Sequence, residues 1–259
     1  MKFFEPESLF FALGLFVGII FMLELGRRVG ARQRARITEG GAAGIGAVEA
    51  AIFALLGLLI AFTFQGALGR FDARRALIVQ EANNIGTAWL RIDLLPASAQ
   101  PAMRDLFRKY LDSRLETYRK IPDMVAVKVE LDRTAQLQNE IWKVALDDSR
   151  KDGGQVIVVG LLPVLNQMFD IVTTRTMAAK THPPTIVFLM LAFLACASAF
   201  MAGHGMSGSK TRSWVHLVGF ASILAVTVFV IMDMEYPRVG MIRVDSFDQV
   251  LMDLRQSMK

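Results

Sequence analysis

A single carboxylate, Glu49, stands inside an apolar run that extends from about Gly44 to Leu68. A charged group within such a run is costly and is a functional candidate by default. A second polar pattern falls at Asn166, Asp170 and Thr173, whose spacings of four and three place them on one helical face. Such a stripe serves either interhelical hydrogen bonding or the lining of an ion pathway. Other reactive chemistry is sparse. No nucleophile stands with a base and no glycine-rich phosphate loop is present. His182, His204 and His216 lack the short spacing of a helical metal pair. The one cysteine, Cys196, lies in an apolar run and reads as a small buried filler, with no disulfide framework or cysteine metal site. Catalysis, a metal and a cofactor are therefore not expected.

The elements that carry these residues are set by composition. Of 259 residues, 53% are hydrophobic and only 20% charged, and the mean hydropathy is +0.40. That is too apolar for an ordinary soluble domain, and the apolar residues come in blocks that need a lipid bilayer. The net charge of +5 comes from basic residues that sit largely at the ends of the apolar segments. Juxtamembrane anchoring explains them, and nucleic acid is not an expected partner.

Four spans are expected. The first covers Leu9 to Leu23, extended by Glu24 and Leu25 and closed by Gly26, Arg27 and Arg28. Glu5 and Glu7 spoil a basic leader, and two arginines stand where a cleavage site would need small residues, so a retained helix is favoured over a signal peptide. The second, Gly44 to Leu68, would span roughly 37 Å, enough to cross with tilt. The third runs from Thr185 to Gly203 after Pro183 and Pro184, and the fourth from Trp214 to Met232. The short glycine- and serine-containing link from His204 to Ser213 makes the last two an antiparallel hairpin. Both termini then share one side. Arg27, Arg28, Arg32, Arg34, Arg36, Lys210 and Arg212 on one side balance Lys2, Arg70, Arg74, Arg75, Arg175, Lys180, Arg238 and Arg243 on the other, so charge bias leaves the orientation open.

The expected class is an all-α integral membrane protein, with a helical extramembrane block between the second and third transmembrane helices. The segments are 1–69 (first transmembrane pair), 70–182 (block), 183–236 (second pair) and 237–259 (tail). In the block, Met103, Leu106, Phe107, Tyr110, Leu111, Leu115 and Tyr118 recur at helical steps after Pro101. A second amphipathic stretch runs from Val127 to Ser149 and is broken at Gly153 and Gly154. Val156 to Ala179 contains Pro163, Asn166, Gln167, Asp170 and Arg175, and reads as a buried helix rather than a fifth span.

The helical pattern of the second span continues through Arg70, Phe71, Asp72, Arg74 and Arg75 into Gln80 to Thr87, predicting one long helix. The run Leu56-Gly57-Leu58-Leu59-Ile60-Ala61-Phe62, followed by Arg70-Phe71-Asp72 and Arg74, resembles the pore helix of the bestrophin channels over about 25 residues. The whole chain is similar to a bacterial family called bestrophin-like. The Glu81-Ala82-Asn83-Asn84 patch, the Leu165-Asn166 to Asp170 to Arg175 segment and the Tyr236-Pro237-Arg238-Val239-Gly240 tail carry that similarity.

The resemblance implies a pentamer in which one helix per subunit surrounds an ion pathway, narrowed at Ala54, Leu58 and Phe62. These positions step by four and share a face within about 80 degrees, and an apolar constriction can gate by dewetting. The residues implied at the mouth or along the block are Arg70, Asp72, Arg74, Asn83, Asn84, Asn166, Asp170 and Arg175. Two departures stand out: Phe71 and Asp72 replace paired tryptophans, and Ala54 is small for a neck. Glu49 precedes Leu58 by nine residues, half a turn out of phase. Either the inward face is Phe53, Leu56, Ile60 and Phe64 with Glu49, or Glu49 pairs with another helix, or it reaches the headgroups. Gly40, Gly44, Ala47, Gly57, Ala61 and Gly66 allow close helix approach in an oligomer. The expected function is a homo-oligomeric, passively conducting ion channel of a bacterial inner membrane, with lipid, further copies of the chain and small inorganic ions as partners. Arg70, Arg74 and Arg75 would attract anions, while Asp72 and Glu81 moderate that field. A non-conducting scaffold or sensor that binds a partner through its helical block is the alternative.

Overall fold

The computed structural model describes residues 5–34, 45–208 and 213–259, with side chains from residue 8 onward except those of Arg34 and Ile45. Lys2, Arg36, Gly40, Gly44, Lys210 and Arg212 therefore lie outside the described residues, and so does the side chain of Arg34. The order is α1 (Glu5–Arg34), α2 (Ile45–Leu90), α3 (Gln100–Arg119), α4 (Met124–Ser149), α5 (Gln155–Gly160), α6 (Leu162–Lys180), α7 (Thr185–Gly205), α8 (Trp214–Glu235) and α9 (Gln249–Ser257). No strand occurs among the described residues. Four of the helices are long and apolar enough to cross a membrane.

Local chemistry explains the boundaries. Pro101 and Pro163 sit in the first turns of α3 and α6, where a missing N–H costs nothing. Asp123 caps α4 by accepting the Val125 and Ala126 N–H groups, each at 3.0 Å. After α4 the chain turns at Gly153, whose φ of 82° suits only a residue without a Cβ. The stretch expected as one buried helix from Val156 to Ala179 is in fact two, α5 and α6, divided at Leu161. Leu161 itself keeps α-region angles, φ −99° and ψ −48°, and Pro163 contributes to the break by lacking the N–H that would bond the Val159 carbonyl.

The chain forms two compact units: residues 1–69 with 182–242, and residues 70–181 with 243–259. In the first, α1 packs along α7 and α8, with Leu15, Ile19, Leu23, Leu191, Ala195, Ala199 and Val228 buried. The α1 and α7 backbones approach closely. A Cβ at Gly203 would lie 2.0 Å from the Leu23 carbonyl oxygen, and one at Gly26 would lie 2.0 Å from that of Phe200. Small residues let apolar helices meet in this way. Gly203→Ala is accordingly expected to lower stability by about 1–3 kcal/mol through overpacking. Thermal unfolding of the purified protein checks this.

In the second unit α3 packs on α4, around Met103, Phe107, Tyr110, Leu111 and Ile141, all fully buried. The tail closes onto it: Arg255 grips Asp112 through two bonds of 2.7 and 3.1 Å, and Arg108 Nε donates to the Met258 carbonyl at 2.9 Å.

Candidate functional site

From Leu56 onward helix α2 has a buried face and an exposed one. With about 100 degrees per residue, the side turned to the chain's own elements carries Glu49, Phe53, Leu56, Ile60, Ala67, Arg74, Ile78, Glu81 and Ile85. Leu56, Ala67, Ile78, Glu81 and Ile85 on it are all at most 3% exposed. Ala54, Leu58 and Phe62 lie on the other side, followed by Gln65, Asp72, Gln80, Asn83 and Thr87, all within about 80 degrees of one another. Every one of these is exposed, Leu58 by 51% and Phe62 by 66%. This open face is apolar from Ala54 to Phe62 and polar from Gln65 onward.

That partition bears on the phase of α2. Leu56 is buried and the Phe53 ring stands edge-on to Phe220 of α8 at 6.3 Å, so the face holding Glu49 is occupied within the chain. Glu49 does not simply reach outward: its Oε1 lies 3.9 Å from His204 Nδ1 at the end of α7. Gly57 and Ala61 flank the open face, and nothing lies within 4 Å of a Cβ built at Gly57.

The remaining candidates separate into exposed and interior groups. Asp72 is exposed and accepts from Arg75 at 2.9 Å. Arg70 is half-buried. Asn83 is exposed, while Asn84 donates its amide to the Gln167 carbonyl at 2.9 Å. Asn166, Asp170 and Thr173 form an exposed stripe on α6. Arg74 turns inward and donates to the Ala178 and Thr181 carbonyls at 3.1 and 2.8 Å. It thereby satisfies the orphan carbonyls at the C-terminus of α6, where a cation is favoured.

Arg175 is interior too, and it belongs to a cluster that sequence alone did not single out. Glu81, fully buried, accepts from Arg114 Nε at 2.5 Å and from Arg175 Nη1. Arg114 also donates to the Tyr118 hydroxyl, and the Arg175 guanidinium lies 4.0 Å from the Tyr118 ring centroid. Burial by itself would raise the Glu81 carboxyl, but the two guanidiniums outweigh it and hold the group below its ordinary range. The cluster joins α2, α3 and α6 by side chains and so fixes the rotation of α2 within the second unit. Its sequence signal is faint: Glu81 and Arg175 stand in separate motifs, and Arg114 belongs to neither.

Among the described residues no group of three or more metal-ligating side chains occurs. A family model described as a Bestrophin-like domain matches residues 12–246. No curated protein matches the chain, and no solved structure does.

Proposed function

The chain belongs to the bestrophin-like family, and from that membership we propose that it is a homo-oligomeric ion channel, pentameric as the resemblance to bestrophins implies, conducting passively along the open face of α2. It would cross a bacterial cytoplasmic membrane four times, with α1, the apolar part of α2, α7 and α8 as its spans. The observation that carries this reading is the uninterrupted exposed face of α2. A helix that buries one side and leaves the other open from Leu56 to Thr87 is suited to surround an axis with its copies. Leu58 and Phe62 would form the constriction, and Gln65, Asp72, Gln80 and Asn83 would line the wetter part of the path. Nothing in this arrangement requires bond chemistry.

The inward turn of Arg74 and Arg175 alters the charge expected along the pathway. The ionised side chain on the open face is Asp72, and repetition around an axis makes a carboxylate ring. Asp72→Asn is therefore expected to shift the reversal potential of single-channel currents in a salt gradient toward that of the anion. An unchanged reversal potential would remove Asp72 from the pathway. Planar-bilayer currents from purified protein test the proposal itself.

The scaffold reading draws on a different observation, the exposed Val156, Val158 and Val159 of α5. It is tested by whether a partner protein co-purifies with the intact chain and is lost on Val159→Glu.

A further inference from the structure

We propose that the pathway admits small inorganic cations in preference to anions, and that Asp170 on α6 sets this preference. The inference rests on the channel reading and names the ion class for it.

Within the unit of residues 70–181 and 243–259, the exposed face of α2 has a polar neighbour. Arg74 donates to the Ala178 and Thr181 carbonyls, Glu81 accepts from Arg175, and Asn84 donates to the Gln167 carbonyl. Rising numbers on α2 meet falling numbers on α6, so the two helices run antiparallel. At about 100 degrees per residue, these contacts also fix the side on which each helix has the other. The exposed Gln80, Asn83 and Thr87 of α2 lie roughly 120 degrees from its α6 side, and the exposed Asn166, Asp170 and Thr173 of α6 lie roughly 120 degrees from its α2 side. Both offsets have the same sign when counted along the chain. In an antiparallel pair that turns the two exposed faces to the same side. Helices α2 and α6 thus present one continuous polar surface, and copies of α2 around an axis bring α6 with them.

Charge decides which ion this surface favours, because amides and hydroxyls serve either sign. Arg74 and Arg175 are buried, so neither guanidinium stands on it. Asp170 is exposed, and among the described residues no cation pairs with its carboxylate. Asp72 differs, since Arg75 donates to it at 2.9 Å. Lys180 is an exposed cation on α6, but ten residues of helix put it about 15 Å from Asp170. That exceeds the screening length of about 8 Å in physiological salt. One unpaired carboxylate per copy, repeated around an axis, makes a negative belt that concentrates cations and repels anions.

The test is the reversal potential of the purified full chain in planar bilayers bathed by unequal concentrations of KCl. Wild-type current is expected to reverse between zero and the potassium equilibrium potential. Asp170→Asn should lower the potassium-to-chloride permeability ratio by about three- to tenfold, and Asp170→Lys should lower it further. Asp170 is exposed, so both variants are expected to keep the wild-type Tm, and the ratio is read on folded protein. Wild-type current that reverses on the chloride side, or a ratio unchanged in both variants, would overturn the inference and leave the channel standing. Absence of wild-type current in every salt would remove the channel reading and this inference with it.

Discussion

Glu81→Gln should lower the stability of the protein by about 3–5 kcal/mol, the cost of leaving buried charge without its counter-ion. The substitution removes one carboxylate and strands two guanidiniums, of which Arg114 is fully buried and Arg175 nearly so. On thermal unfolding this corresponds to a fall in Tm on the order of 10 °C. Removing the charges together should be much milder: Glu81→Met with Arg114→Met and Arg175→Met trades a desolvated cluster for apolar contacts. The pH dependence has a definite sign. Because the folded state holds the Glu81 carboxyl low, its stabilisation is complete above the unfolded value of about 4.3 and is lost as pH falls through the lower folded value. Glu81→Gln should lack that acid limb. A wild-type Tm unaffected by the substitution would mean that the three helices hold their rotation without the cluster.

The second large effect is expected at the constriction. Replacing Leu58 and Phe62 together by alanine removes the bulk that would exclude water from the narrowest part of the pathway, so currents should rise several-fold over wild type in planar bilayers. Both side chains are exposed within the chain, which makes their truncation cheap for the subunit's own packing. Leu56→Ala is the internal control: it sits on the buried face at 3% exposure and should cost stability, about 2–5 kcal/mol, without widening the path. If currents stay flat in the Leu58 and Phe62 double variant while the protein remains folded, these residues do not form the gate.

Much of the fold could be read from residue order because the signals are local. Pro101, Pro163, Asp123 and the Gly153–Gly154 pair mark helix ends by their own backbone chemistry. The continuation of α2 past Arg70 shows in unbroken apolar spacing. The phase of α2 was not legible for an equally physical reason. Leu55, Leu56, Leu58, Ile60 and Ala61 surround the helix, so no amphipathic pattern marks which side is inside. That choice belongs to Phe220, His204 and the Glu81 cluster, whose partners lie far away in the chain. Arg114 meets Glu81 across 33 residues, and Arg175 meets it across 94. Glu49 was visible as an anomaly, but its answer, His204, stood at the far end of another apolar run. For Arg74 the sequence displays a guanidinium without showing that the Ala178 and Thr181 carbonyls accept from it.

The central claim is that the open face of α2 surrounds an axis shared by copies of this chain. Averaged single-particle images of the purified protein test it most directly. We expect a ring of identical subunits with five-fold symmetry, in which Phe62 and Asn83 of every copy face the axis. A monomer, or a ring in which that face of α2 is turned to the lipid, would contradict the claim.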